Sequence, residues 1–243
     1  MAADIKDLKI KIFADGADLS SIQKLNNIPY IKGFTTNPTL MRKAGVVDYK
    51  KFAIDLLKIV KDKPISFEVF ADDINEMEIQ AMEIASWGTN ANVKIPITNT
   101  KGDSTVKLLK KLSSRGVVCN VTAIFTLDQL NDVLKVLNSE TPAILSIFAG
   151  RIADVGINPI SIMRDSVKFA KIKPKLSILW ASTREVINIF QAEEIGCQII
   201  TVPHDILKKL PGVGKNLKQS SLETVDMFYK DAKMAGYTIK TKK

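Results

Sequence analysis

The sequence predicts an α/β fold of the (β/α)8 TIM-barrel class, with an extra helix at the C-terminal end. Three observations carry that expectation. Eight short apolar runs alternate with longer amphipathic segments along the 243 residues. The runs are nearly continuous in apolar residues, as strands covered on both faces of a parallel sheet must be. No GxGxxG follows the first run, which disfavours a doubly wound open sheet, the next reading in order.

The elements follow in turn. LKIKIFAD (8–15) is the first strand, and ADLSSIQKL follows it. IKGFTTN (31–37) is the second, followed by the helical pattern YKKFAIDLLKIVK (49–61). ISFEVFA (65–71) leads to INEMEIQAMEIASWG (74–88), and NVKIPIT (92–98) leads to STVKLLKKLSSRG (104–116). VVCNVTAI (117–124) precedes TLDQLNDVLKVLN (126–138), and AILSIFAG (143–150) is the sixth strand. LSILWAS (176–182) precedes REVINIFQAEEIG (184–196), and QIITVP (198–203) is the eighth. The helical segments repeat apolar residues three and four apart, and Gly116 and Gly196 stand where helices stop. Residues 1–211 are expected to form one barrel domain. Residues 212–243 extend it with the amphipathic helix SLETVDMFYKDAKMAG, which either closes the barrel or reaches a neighbouring subunit.

Composition narrows the function classes. The net charge is +9, but the lysines are scattered over helical and terminal segments, Lys208, Lys209, Lys240, Lys242 and Lys243 among them. No basic block is interleaved with aromatics, so a nucleic-acid surface is not expected; the lysines are read as solvated helix faces, with the gathering of anionic substrates by the positive field as the weaker alternative. No stretch is long and apolar enough for a membrane span. With Cys119 and Cys197 the only cysteines, a disulfide framework is not expected and the location is read as cytoplasmic. His204 is the single histidine and is read as capping or packing a loop. No metal site and no cofactor are expected.

Polar residues inside the predicted strands are the informative departures. Asp15 closes the first strand, Thr35 and Asn37 the second, and Ser182 the seventh. Glu68, Lys94, Asn120, Thr122 and Ser146 interrupt the third to sixth. Residues two apart share a strand face, which groups Thr35 with Asn37, Asn120 with Thr122 and Ser146 with Phe148. Most lie in the later half of their strands, and the C-terminal mouth of such a barrel carries the active site. Each has a structural alternative. Thr35, Ser146 and Ser182 could bond a neighbouring strand or cap a helix, Asn120 could satisfy loop backbone, and Asp15 could be the N-cap of ADLSSIQKL. Lys94 could face solvent from an edge strand, or pair with Glu68 as a buried salt bridge, which stabilises a fold little. Function is the stronger reading for Lys94, because buried lysines cluster at reactive sites.

Arg151, in FAGRI, and Arg184, in ASTRE, follow the sixth and seventh strands, where barrels often hold phosphate. A lysine, two carboxylates and a phosphate grip suggest a metal-independent aldol-type lyase or transferase. The unprotonated amine attacks a carbonyl, and the imine then acts as electron sink while a neighbouring C–C bond breaks.

GFTTNPTLM (33–41), VKIPIT (93–98), CNVTAIF (119–125), SIFAGRIAD (146–154) and LWASTRE (179–185), in this order, resemble the transaldolase family. The resemblance implies Lys94 as the Schiff-base lysine and Asp15 as the acid/base at the C4 hydroxyl. It implies that Glu68 and Thr122 hold the catalytic water. Thr35, Asn37 and Asn120 would contact the dihydroxyacetone unit or the lysine, and Ser146 and Phe148 would wall the pocket. Arg151, Ser182 and Arg184 would bind phosphate. Gly16 stands where the family often has Thr or Ser, and the usual SPF stretch reads SIF. Chain length resembles the short subfamily, whose members form rings of five, often doubled, with the C-terminal helix as the arm. The related fructose 6-phosphate aldolases carry Tyr and Gln where this chain has Phe148 and Glu68, so the resemblance implies transfer between phosphosugars of the pentose phosphate pathway. Fructose 6-phosphate cleavage, another anionic ketose, and a non-catalytic barrel scaffold remain as alternatives.

Overall fold

The computed structural model of the chain describes residues 5–241; the terminal Lys242 and Lys243 lie outside them. Eight parallel strands close in sequence order into a barrel. They are β1 (Lys11–Asp15), β2 (Ile31–Thr35), β3 (Ile65–Glu68), β4 (Ala91–Pro96), β5 (Cys119–Ile124), β6 (Ala143–Ile147), β7 (Leu176–Trp180) and β8 (Ile199–Pro203). The expected runs all appear, and β1 pairs with both β2 and β8 to close the ring.

Helices α1 (Leu19–Asn26), α3 (Tyr49–Ile59), α4 (Ile74–Ala85), α5 (Val106–Ser114), α6 (Leu127–Val136) and α9 (Ile187–Glu194) match the amphipathic segments. Beyond the expected helices lie α2 (Pro38–Lys43), α7 (Ala149–Asp154), α8 (Ile160–Ala170) and α10 (His204–Leu207). The first, second and fourth of these are one to two turns long and begin at strand exits. α8 buries Met163, Ser166, Val167 and Ala170, a helical stripe disguised by its polar member. Ser166 Oγ is satisfied by bonding back to the Ile162 carbonyl at 2.7 Å.

Five strands (β2, β3, β4, β6 and β7) end earlier than their apolar runs suggest, and in two of them the chain turns to side-chain partners. β2 stops at Thr35 because Asn37 caps α2, accepting from Leu40 N at 3.0 Å. β3 stops at Glu68 because the amides of Phe70 and Ala71 bond Gln80 Oε1 of α4, at 2.9 and 3.0 Å.

Two apolar layers follow from strand parity. The larger lies between sheet and helices and includes Ile12, Phe34, Phe67, Val93, Ile95, Val121 and Trp180. Cys119 packs in it, and burial pushes its thiol up to about 12. The smaller layer fills the barrel interior with Phe13, Ile144, Leu179, Ala181 and Ile199. Gly33, level with Phe13 across β1 and β2, makes room for that ring, since a Cβ there would lie 2.6 Å from Phe13 Cζ. Thr201, Asn120 and Ser146 are the register partners of Phe13, Ile144 and Leu179 in this layer.

Helix α11 (Leu217–Met234) buries none of its residues and exposes Leu222, Val225, Phe228 and Tyr229. The barrel closes without it, so the barrel-closing role considered for this segment is not realised. Among the described residues no helix is long and apolar enough to cross a membrane.

Candidate active site

β4 places Lys94 between Val93 and Ile95, whose side chains are fully buried toward the helices. Lys94 therefore points into the barrel, where it is only 8% exposed. Both flanks of β4 are paired, to β3 and β5, so the edge-strand alternative does not hold. The ammonium meets Glu68 Oε2 at 3.0 Å and donates to the Thr36 carbonyl at 3.2 Å. Glu68 and Lys94 are register partners, so the pair is set by strand alignment rather than by loop geometry. A partly buried ion pair of this kind contributes little net stability.

Asp15 ends β1 level with Thr35 of β2. Thr35 Oγ1 donates to Asp15 Oδ1 at 2.7 Å and lies 2.5 Å from Thr201 Oγ1 of β8. Burial is the main influence on the Asp15 carboxyl and raises its pKa above the usual carboxylate range; Lys94 and the Thr35 hydroxyl pull it down without cancelling that effect. Asp15 does not cap α1. Asp18 does, accepting from Ser21 N at 2.7 Å.

A third group crosses β3, β5 and β6. Asn120 Nδ2 donates to Ser66 Oγ at 2.9 Å, and Ser146 Oγ donates to Asn120 Oδ1 at 2.7 Å. All three are buried. Asn120 thus bonds side chains of β3, across the barrel interior, and of β6 rather than loop backbone, and it is the register partner of Lys94. Two residues on, Thr122 Oγ1 is buried with no hydrogen-bond partner among the described residues. The next residue, Ala123, has φ +59 where the β5–β6 register shifts. Such backbone strain gathers at functional sites.

The rim is built by the loops after β6 and β7. Phe148 leaves β6 and packs its ring 5.8 Å from that of Phe125, with the Arg151 guanidinium 5.8 Å from its centroid. Ser182 has φ +62. Its carbonyl comes so close to Gly150 that a Cβ there would lie 1.6 Å away, so only glycine lets these two loops touch. Arg184 pairs with Asp154 of α7 through Nε at 3.0 Å and Nη2 at 2.5 Å, and the guanidinium holds Asp154 below the usual carboxylate range. Asn37 stands at the β2 exit with its carbonyl oxygen engaged as the α2 cap.

Lys94, Glu68, Asp15, Thr35, Asn120, Thr122 and Ser146 thus share the upper interior, while Phe148, Arg151, Ser182 and Arg184 form one side of its rim. Ser66 and Thr201 join the expected residues there, and the parity of Ser66 with Glu68 is a signal the sequence already carries. Tyr49 joins them from α3, its hydroxyl donating to the Glu68 carbonyl at 2.8 Å. His204 packs where a Gly16 side chain would be, with Nε2 2.5 Å from the ideal Cβ position. Its Nε2 has no partner among the described residues. No group of three or more His, Cys, Asp or Glu among them could hold a metal ion.

Fold and site together define a (β/α)8-barrel protein whose C-terminal mouth gathers an amine, two carboxylates and a cationic rim. The chain belongs to the transaldolase/fructose-6-phosphate aldolase family, whose model matches residues 12–241. It is 34% identical over 232 residues to a "Probable transaldolase" of Thermoanaerobacter sp., covering 95% of this chain and 100% of that one. A "Probable transaldolase" of Clostridium acetobutylicum is 36% identical over 202 residues, covering 83% and 89%. One from Dehalococcoides mccartyi is 34% identical over 202 residues, covering 83% and 90%. Among solved structures, 3-hexulose-6-phosphate synthase from Salmonella typhimurium superposes with TM-score 0.56 at 13% identity, covering 83% of this chain and 91% of that one. KGPDC from Streptococcus mutans gives TM-score 0.56 at 10% identity, also covering 83% and 91%. At such identities the two structures bear on the fold alone.

The raised carboxyl of Asp15 has a consequence for stability. The folded protein holds that proton more tightly than the unfolded chain, so this contribution favours folding at pH below the ordinary carboxylate value. It is lost as pH rises from there through the raised folded-state value. Above the ordinary carboxylate range Asp15→Asn removes a carboxyl whose ionised form burial disfavours and is expected to raise Tm by about 2 to 4 °C, the shift that ~1 kcal/mol gives at this size. Calorimetry showing an unchanged or lowered Tm would contradict a destabilising Asp15 charge.

Proposed function

We propose that the chain transfers a dihydroxyacetone unit between phosphosugars through a Schiff base on Lys94. The reading rests above all on the buried contact between the Lys94 amine and the Glu68 carboxylate. Glu68 is placed to take the ammonium proton. The free amine then adds to the C2 carbonyl of a ketose phosphate, and loss of water gives the iminium. Asp15 takes the proton from the C4 hydroxyl as the C3–C4 bond breaks. The bonding pair moves into the iminium to form an enamine, and the first aldehyde leaves. An acceptor aldehyde is attacked by the enamine carbon, its oxygen recovers the proton from Asp15, and water releases the product ketose.

A carboxyl with a raised pKa suits a group that must accept a proton and return it. The Thr122 hydroxyl, without a partner among the described residues, suits a residue that holds water with Glu68. Thr35, Asn120 and Ser146 fix the donor unit, with the amide nitrogen of Asn37 at its edge. Arg151, Ser182 and Arg184 receive the phosphate, Arg184 by exchanging or sharing Asp154. The substrates on this reading are sedoheptulose 7-phosphate and glyceraldehyde 3-phosphate, giving erythrose 4-phosphate and fructose 6-phosphate, as in the pentose phosphate pathway.

The aldolase reading is separated by Phe148. With a phenyl ring rather than a phenol at position 148, the enamine lacks that proton donor, so protonation is slow and the intermediate waits for an acceptor. Wild type is expected to consume fructose 6-phosphate only when an aldehyde acceptor is present. Phe148→Tyr should gain acceptor-free cleavage by a factor on the order of 10², the low end of what a positioned proton donor contributes. Free dihydroxyacetone released by wild type at the transfer rate would make the protein an aldolase instead.

The uncovered apolar face of α11 supports assembly with further copies of the chain, as a pentamer or decamer. Sedimentation is expected to give such a mass for wild type and a smaller one for Val225→Glu/Phe228→Glu. A monomeric wild type would end this part of the proposal.

A further inference from the structure

The end of the barrel opposite the proposed chemistry holds a second cavity of about 570 Å³, within the range of small-molecule sites. It lies among the N-terminal ends of the strands. Phe13, Ile144 and Ile199, part of the apolar plug, line it together with Lys9, Lys11, Lys32 and Lys175. Among the described residues no carboxylate lines it. Lys175 is engaged by Glu140 at 2.9 Å, whereas the amines of Lys9, Lys11 and Lys32 have no ion pair among the described residues. The carboxylate of Glu193, nearby, is taken up by the backbone amides of Lys9 and Ile10, at 3.1 and 2.8 Å.

A second observation points to a ligand. Asn92, at the start of β4, is only 7% exposed and lines the same cavity. Its side-chain amide has no hydrogen-bond partner among the described residues and stays open to the cavity. Ser177, also on the lining, has no side-chain partner among them either. Unpaired amines along one rim, with two polar side chains left open to the same cavity, are a poor arrangement for stability alone, since like charges repel.

We propose that this N-terminal mouth binds a small anion carrying two or more phosphate groups. Lys9, Lys11 and Lys32 supply the charge, as lysines commonly do for phosphate. The Asn92 amide and the Ser177 hydroxyl donate hydrogen bonds from within. The apolar plug separates this ligand from the upper interior, so the site is independent of Lys94 and its chemistry.

The test is titration calorimetry with inorganic pyrophosphate on the full chain, at low and high salt. Wild type is expected to bind with an affinity that falls as salt rises. Lys11→Gln/Lys32→Gln is expected to weaken binding at least about tenfold, the loss of ~1.4 kcal/mol, and to leave the sugar reaction unchanged. Asn92→Ala, which removes no existing bond, should weaken binding with Tm preserved. Arg151→Ala/Arg184→Ala should leave it intact. No binding at millimolar pyrophosphate overturns the proposal. So does binding that survives both lower-mouth variants, or binding that disappears with the two arginines, which would place the anion at the other mouth.

Discussion

Lys94 is held inside a closed ring of strands, so its ammonium must be met by groups that the ring itself supplies. Solvation of a lone buried ammonium cannot be replaced by apolar packing, and the barrel answers with Glu68 one strand away and the Thr36 carbonyl. That requirement explains why β3 and β4 must keep their register. A shift of one residue would turn Lys94 into the apolar layer beneath the helices and bring Val93 or Ile95 inside. The rest of the upper interior falls into line with it. Asn120 is level with Lys94, Glu68 is level on the other side, and Asp15 is level with Thr35.

The apolar plug is the second element of the arrangement. Phe13, Ile144, Leu179 and Ile199 form an apolar cluster inside the barrel. Above the plug the interior is acid, amine and hydroxyl. Below it the lining is cationic, with no acid among the described residues. The two mouths of one sheet therefore carry different chemistry because each strand changes character along its length. β4 shows this within three residues, from Asn92 on the lower cavity to the paired Lys94.

Much of this was legible in the sequence because burial on both faces makes a parallel strand nearly all apolar, so Lys94, Glu68 and Asn120 stand out. Parity then assigned their faces. Less visible were Ser66 and Thr201, small polar residues that resemble ordinary strand content and acquire meaning only through partners far along the chain. Helix α8 escaped because Ser166 sits in its buried stripe, and the ends of β2 and β3 were misjudged because Asn37 and Gln80 divert the backbone. No local pattern announces that Arg184 pairs with Asp154, or that His204 fills the space beside Gly16. These contacts join segments from different parts of the chain and follow from closure of the barrel.

Whether Lys94 is the nucleophile can be read from a single trapping experiment. The protein is incubated with fructose 6-phosphate, reduced with borohydride, digested and mapped by mass. A Lys94 nucleophile predicts a single reduced three-carbon adduct on the peptide that contains Lys94, and none in Lys94→Met. An adduct on another lysine, or no adduct in a protein that still turns over sugar, would contradict it.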